Sequence, residues 1–481
     1  MKIYFTSDIH GYFFPTDYLD RNYKNTGLLC EANSFARDEN TIVIDGGDTL
    51  QGSAFDYYMK TKNNSKSIGN IMSEVKYDFY TLGNHDFNYG YEYLLNYTNN
   101  FNAQCICANV EDTLGNIKIK PYVILNIEGK KVAITGLVTD WVSLWEKPEY
   151  LKNFKISNTF ETAKKVLEEI KDADFKICIY HGGIEEDIHT FEKLSDTDEN
   201  IAAKMARELN FDLILTAHQH MDVPSLKIEN THLVQCPANG EKYIEIGINL
   251  EDNTVNSTSK APTSKPDKNI YNKFRELDLK TQDFLDSPLT TLDRDYLPED
   301  KLTMAMKGSD LADFINRAQI EIADADISIT SFANEIKGFN KNVTIRDVLL
   351  TYRFPNTLVV LEIDGKNLRA ALEQNYTYIE YVNGKFEIAK KFLLPKVEHY
   401  NFDFFYGIEF ELNLKNENYN KIGDIYYNKK LISDTDTFKL VMNNYRSTGA
   451  GNFTMYKNLK KVKEVNIEVS ELLINYLSNL K

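Results

Sequence analysis

Five short runs of this sequence carry side chains able to bind divalent cations. They are Asp8-Ile9-His10, Gly46-Gly47-Asp48, Gly83-Asn84-His85-Asp86, His181-Gly182-Gly183 and Ala217-His218-Gln219-His220. Imidazole nitrogens combined with carboxylate oxygens suit Zn, Mn, Fe or Co and do not choose among them. Two such ions about 3.5–4 Å apart need one bridging carboxylate and further ligands on each side. Water bound to such an ion has a lowered pKa, so hydroxide is available near neutral pH. Taken singly, each run has an ordinary reading. Asp-x-His and Gly-Gly-Asp occur in many turns, Gly-Asn-His-Asp can be an Asx-turn loop, and His-x-His can be a surface pair. Their order is informative, because each run sits at the end of a segment that reads as a strand.

Those segments are Ile3–Thr6, Thr41–Asp45, Phe79–Leu82, Lys176–Tyr180 and Leu213–Thr216, with a further strand at Val132–Val138. Helical periodicity fills much of the space between, as at Thr162–Lys171 and Ile201–Leu209. Alternation of this kind predicts an α/β fold. In open α/β sheets the loops at the carboxyl ends of strands converge on one crevice. Five loops carrying Asp, Asn and His are thereby brought together.

A chain of 481 residues is too long for one core and predicts two or more domains. The polar run Asp252–Asn269 reads as a surface loop or boundary, and Lys268–Leu285 as a connecting helix. We expect a first domain at 1–260, a helical linker at 261–286 and a second domain at 287–481. The second half reads as α+β. Ser309 caps a helix with apolar positions at Leu311, Phe314, Ile315, Ala318 and Ile322. Thr357–Ile363 is a strand, closed by the turn Asp364-Gly365 and followed by a helix at Lys366–Gln374. Ile408–Leu414 and Phe438–Met442 are further strands, and Ile467–Leu480 is a final helix.

Composition narrows the function. The net charge of −16 argues against binding a nucleic-acid polymer, which wants a clustered basic face. It also repels small anions, unless a local cation reverses the field. The 5 Cys contain no Cys-x-x-Cys pair, so neither a disulfide framework nor a Cys-based zinc site is expected. No signal-peptide pattern precedes the first strand and no apolar run approaches membrane-spanning length, so the expected compartment is the cytoplasm, without a membrane. No protein partner is implied. Five of the 8 His lie in the runs above. His189, His232 and His399 read as ordinary polar positions.

The ordered set Asp-x-His, Gly-Asp, Gly-Asn-His-Asp, His and His-x-His resembles the calcineurin-like metallophosphoesterases. Ala217 stands where the last motif usually has Gly. The run Asp48-Thr49-Leu50-Gln51-Gly52-Ser53 is similar to the nucleotidase branch of that superfamily. The resemblance implies a metallophosphoesterase β-sandwich flanked by helices, followed by an α+β nucleotidase C-terminal domain that binds the nucleoside. It implies two divalent ions. Asp8, His10 and His220 would hold one, and Asn84, His181 and His218 the other, with Asp48 bridging. His85 matches the family's catalytic histidine, assisted by Asn84.

Asn88 sharpens the resemblance. In 5'-nucleotidases this loop usually ends in an Asp that pairs with the catalytic His, and an Asn cannot raise the imidazole pKa as a carboxylate does. Phe87-Asn88-Tyr89-Gly90 is similar instead to the 2',3'-cyclic-nucleotide 2'-phosphodiesterase/3'-nucleotidase branch. So are Asp56-Tyr57-Tyr58, Leu144-Trp145-Glu146-Lys147, Phe354-Pro355-Asn356-Thr357-Leu358, Tyr400-Asn401-Phe402-Asp403 and Asn443-Asn444-Tyr445-Arg446. The Gly-rich loop with a following Arg, typical of 5'-nucleotidases, is missing. By resemblance the base stacks between Tyr400 and Tyr445, with Phe402 as the register alternative to Tyr400, and Arg446 or Arg353 reaches phosphate or ribose. Surface salt bridging is the other reading of both arginines. The implied substrate is a small nucleotide. A 5'-nucleotidase or nucleotide-sugar hydrolase on the same scaffold is the alternative. A non-catalytic nucleotide sensor is a third reading, but it predicts a broken ligand set, and every ligand position here is filled.

Overall fold

The computed structural model describes residues 1–193, 198–354, 356–394, 396–465 and 467–480; Pro355, part of one run quoted above, lies outside them. The chain forms two compact units, Met1–Asp283 and Phe284–Lys481.

In the first unit β1 (Lys2–Thr6), β2 (Thr41–Asp45), β3 (Phe79–Tyr80), β4 (Gln104–Ile106) and β5 (Ile119–Lys120) lie side by side and parallel. A second sheet holds β6 (Tyr122–Ile127), β7 (Lys130–Val138), β8 (Phe175–His181), β9 (Leu213–Thr216), β10 (Val223–Ile228) and β11 (Thr231–Gln235). Its order is β10-β11-β9-β8-β7-β6, with β11, β9, β8 and β7 parallel. The chain then returns to the first sheet, where β12 (Tyr243–Asn249) pairs antiparallel with β1 and β13 (Thr254–Lys260) pairs with β12.

Period-two alternation explains the layering. Ile3, Phe5, Ile42 and Ile44 of the first sheet share one core with Val132, Ile134, Ile177, Ile179, Leu213 and Leu215 of the second. The intervening residues face helices. Cys178 and Tyr180 pack with Ala202, Met205 and Ala206 of the helix Ala202–Glu208. Strands covered on both faces read as continuous apolar runs. This is the expected helix-flanked β-sandwich.

Two expectations change. Thr254–Lys260, read as part of a polar loop, is an edge strand with alternating exposure. Thr and Val favour extended backbone, and an edge facing solvent tolerates the polar side chains. Residues 261–283, read as a linker, belong to the first unit. The helix Lys268–Leu285 packs there through the ring contact Tyr271–Phe14 and the ion pair Lys273–Glu74.

The second unit is a five-stranded sheet made of β14 (Ile327–Ser331), β15 (Leu358–Asp364), β16 (Asp403–Tyr406), β17 (Thr437–Asn443) and β18 (Lys460–Val465), ordered β16-β14-β17-β15-β18. Val359, Leu361 and Ile363 enter one core and Leu358 and Val360 the other, so β15 is buried on both faces. Ser309 Oγ caps the helix Asp310–Ala323 by accepting from Ala312 N. The Asp364-Gly365 turn is the start of the helix Gly365–Asn375, whose first turn donates to Asp364.

Behind the first sheet Glu31 is fully buried, and neither carboxyl oxygen has a hydrogen-bond partner. Burial, with Asp45 and Glu241 nearby, raises its pKa to about 8. The folded state therefore holds a proton that the unfolded chain releases above its ordinary pKa of 4.5. The resulting stability is present below that pH and is lost as pH rises toward 8. Glu31→Gln keeps the neutral shape. Its melting temperature should match wild type near pH 4.5 and exceed it increasingly up to pH 9.

Candidate metal centre

The five motif runs meet where the parallel strands of both sheets end. β1 leads to Asp8 and His10, β2 to Asp48, β3 to Asn84 and His85, and β9 to His218 and His220, while His181 is the last residue of β8. Sharp turns bring the loops inward. Asp8, His10, Asp48, His218 and His220 all have left-handed backbone, with φ between 49° and 70°. Each such residue costs about 1–2 kcal/mol when it is not glycine. Five of the seven expected ligands carry this strain. Backbone bonds lock it in, with Asp8 N donating to Gly47 O and His10 N to Asp48 O, both at 2.9 Å. A Cβ on Gly83 would stand 2.1 Å from Asp48 Oδ1, so only glycine allows that approach.

Asp86 ties two of these loops together. Its oxygens accept from the backbone N–H groups of Asp48, Thr49, Leu50 and Gly83 at 2.8–3.1 Å. Burial and the charge of Asp48 push its carboxyl up to about 6, against the pull of those N–H groups.

Among the described residues, two groups of His and Asp ligand atoms lie within 4.8 Å of one another: Asp8, His10 and His220, and Asp48, His181 and His218. Their far sides orient them. His10 Nδ1 bonds Gln51 O at 2.7 Å and His181 Nδ1 bonds Gly46 O at 2.7 Å. A carbonyl only accepts, so each Nδ1 carries the proton and each Nε2 points inward. His218 is turned the other way. Its Nε2 lies 3.2 Å from Glu199 Oε1, and its Nδ1 faces Asn84 Oδ1 at 2.9 Å. His10 Nε2 and His220 Nε2 are 3.1 Å apart, and His220 Nε2 is 3.4 Å from Asp8 Oδ1. Asn84 Oδ1 is 3.1 Å from His181 Nε2.

These residues fit a divalent cation pair. Asp48 Oδ2 is fully buried, 3.1 Å from His181 Nε2 but without a hydrogen bond of good geometry. A carboxylate buried this deeply is costly unless positive charge meets it, from a protonated imidazole or a cation. The titration pattern agrees. Burial and the neighbouring His220 push His10 down to about 4, so its ring is neutral. Burial raises Asp8, but His220 and His181 outweigh it and hold the carboxyl at about 2. Burial lowers His181, yet Asp48 outweighs it and raises the ring to about 10. A cation arriving at His181 therefore displaces a proton, and binding weakens as pH falls.

His85 stands beside this group, its ring centroid 5.4 Å from that of His10. Its backbone N–H donates to Asp48 Oδ1 at 2.7 Å, and its ring Nδ1 lies 2.7 Å from Asn88 Oδ1. Asn88 Nδ2 in turn donates to Glu146. Burial raises the Glu146 carboxyl, opposed by the Lys147 N–H and Asn88. Trp145, one residue earlier, stacks on His218 at 5.5 Å. The sequence offered Trp145 and Glu146 only as part of a family likeness, and gave no sign of Glu199. Glu199 belongs to no motif, and its role depends wholly on contact.

In the second unit two expectations are corrected. Phe402 is 4% exposed and packs against Tyr376, Tyr378 and Phe404, so it is a core residue and offers no face to a base. Arg446 is 1% exposed. Its guanidinium pairs with Asp403 at 2.9 Å, donates to Ala450 O and Tyr400 O, and lies over Phe453. It is a buried clamp, not a substrate contact. It ties the Tyr400 turn to the helix Asn444–Ser447 that carries Tyr445. Tyr400 is half-buried with Phe354 beside it, and Tyr445 is 36% exposed. Arg353 Nε is buried without a hydrogen-bond partner.

Known proteins place both units. Residues 1–222 match the family Calcineurin-like phosphoesterase, and residues 291–458 match the 5'-nucleotidase C-terminal domain. The chain belongs to the calcineurin-like phosphoesterases that carry a 5'-nucleotidase C-terminal domain, hydrolases acting on phosphate esters. The trifunctional nucleotide phosphoesterase YfkN of Bacillus subtilis is 23% identical across 100% of this chain, which spans only 38% of that protein's length. A 2',3'-cyclic-nucleotide 2'-phosphodiesterase/3'-nucleotidase of Yersinia enterocolitica is 23% identical over 93% of this chain and 80% of its own. Among solved structures, a Staphylococcus aureus protein in complex with alpha-ketoglutarate aligns over 100% of this chain and 96% of its own, with 28% identity and a TM-score of 0.89. Among the described residues no helix is long and apolar enough to cross a membrane.

Asp86→Ala leaves four backbone donors without their acceptor. Metal affinity, measured by titration calorimetry on chelator-treated protein, should fall about 10–100-fold, as it does when outer partners of ligands are removed. His189→Ala, outside the site, should leave it unchanged.

Proposed function

We propose that the protein hydrolyses small nucleotides, opening 2',3'-cyclic nucleotides and then removing the 3'-phosphate. The convergence of all seven expected ligand residues on one face, beside a histidine held by Asn88, carries this reading. In it Asp8, His10 and His220 hold one divalent ion and Asn84, His181 and His218 the other, with Asp48 shared. When bound, the ions screen the phosphoryl charge and lower the pKa of water.

The chain's own groups do the rest. His85 has Nδ1 engaged by Asn88, which leaves Nε2 for the substrate. Water attacks phosphorus, the phosphorus–oxygen bond to the ribose breaks, and the departing oxygen needs a proton. His85, whose Nδ1 keeps its own proton against Asn88, takes up a second proton at Nε2 and passes it to that oxygen, or so protonated donates a hydrogen bond to a phosphoryl oxygen as charge builds there. Tyr400 and Tyr445 stack the base, held in register by Arg446. Arg353 is the arginine left available to phosphate or ribose.

The branch assignment draws on Asn88, on the absent 5'-nucleotidase Gly-rich loop and on the activity named for the Yersinia relative. The purified protein is offered 2',3'-cyclic AMP, 3'-AMP, 5'-AMP and a sugar nucleotide. The first two should be the preferred substrates, and preference for either of the others overturns the assignment. His85→Ala should keep its metals and lose about 10²–10⁴-fold in kcat. Tyr445→Ala should raise KM with kcat little changed, at a cost of about 1–3 kcal/mol in base stacking.

A further inference from the structure

The amide of Asn88 is held between two partners. Its Oδ1 lies 2.7 Å from His85 Nδ1, and its Nδ2 donates to Glu146 Oε2. The other Glu146 oxygen accepts from Lys147 N at 2.7 Å. Glu146 follows the short helix Val142–Trp145, in the loop that leaves β7.

An asparagine amide is nearly symmetric in shape and opposite in hydrogen-bond sense at its two ends. Alone, it would present either oxygen or nitrogen to an imidazole. With oxygen toward His85, the neutral ring carries its proton on Nδ1, and Nε2 is the nitrogen that takes up a second proton and gives it to the departing oxygen. With nitrogen toward His85, the tautomer reverses: Nε2 carries the ring's one proton, and Nδ1, facing an N–H donor, cannot hold another. A carboxylate accepts and does not donate, so only the amide NH2 group can face Glu146. The amide oxygen is then directed at His85.

We propose that Glu146, acting through Asn88, sets the tautomer and orientation of His85, which makes both of them positioning residues for the reaction. The proposal rests on the catalytic role given to His85 above. The same loop also braces a candidate ligand, since Trp145 stacks on His218. One segment thereby positions two imidazoles of the site.

Nitrogen correlation spectra of 15N-labelled protein read the tautomer without any turnover. The His85 signals are identified by their loss in His85→Ala. Wild type should show the proton on Nδ1. Glu146→Ala should show the reversed tautomer or a mixture. Its kcat should fall about 10–100-fold with KM and metal content little changed, as for other outer partners of a reactive imidazole. Asn88→Asp in the Glu146→Ala background should recover both the Nδ1–H tautomer and kcat, because an aspartate oxygen only accepts and needs no partner to orient it. A residue that merely packs the loop would not be rescued by a change at position 88. The proposal is overturned if Glu146→Ala keeps the wild-type tautomer and kcat, or if the double variant recovers neither. Wild-type turnover in His85→Ala would remove the catalytic role of His85, while the spectra would still decide whether Glu146 sets its tautomer.

Discussion

Metal-ligand atoms crowd together in a dry interior, and the first unit is built around two such clusters. Asp48 Oδ2, Asn84 Oδ1, His181 Nε2 and His218 Nδ1 are turned toward each other, as are Asp8 Oδ1, His10 Nε2 and His220 Nε2. Carboxylates buried this deeply are costly unless positive charge meets them, from a protonated imidazole or a cation. The left-handed residues after the strands add strain of their own. The two sheets offset both costs. Their shared apolar core fixes the strand ends, and the strand ends fix the turns.

A second layer holds each ligand from behind. Gly46 O and Gln51 O orient His181 and His10, Glu199 orients His218, and Asp86 gathers four backbone N–H groups from two loops. Carbonyls and carboxylates that only accept leave each ring one arrangement. The second unit uses buried charge in the same way. Arg446, paired with Asp403, binds the Tyr400 turn to the segment carrying Tyr445. The net charge of −16 is consistent with a phosphate-ester substrate, because cations in the site would set the local sign.

The motif runs were legible because a strand followed by a sharp turn leaves a local signature. An apolar stretch ends, and Gly, Asp, Asn or His follows. The strands themselves were legible for the same local reason, since strands covered on both faces are apolar throughout. Thr254–Lys260 was misread because an edge strand facing solvent has the composition of a loop. Phe402 and Arg446 were misread because a base-stacking aromatic and a core aromatic are the same residue, as are a substrate arginine and a buried clamp. Exposure separates them, and exposure is not a local property. Glu146 and Glu199 are far in sequence from the rings they serve, 61 residues after His85 and 19 before His218, and no spacing rule links them.

By itself, then, the sequence determined the chemistry on offer: which donors exist, in what order, at the ends of which strands. Those features are set by residue type and by the short-range preferences of the backbone. Only the tertiary structure decided which atom of each donor faces inward. It turned His218 to present Nδ1 and His10 and His181 to present Nε2, gave Asn88 a carboxylate to orient it, and buried Arg446 against Asp403. Each of those outcomes depends on hydrogen bonds and packing between segments far apart in the chain, and directional contacts of that kind arise only once the sheets have brought the segments together.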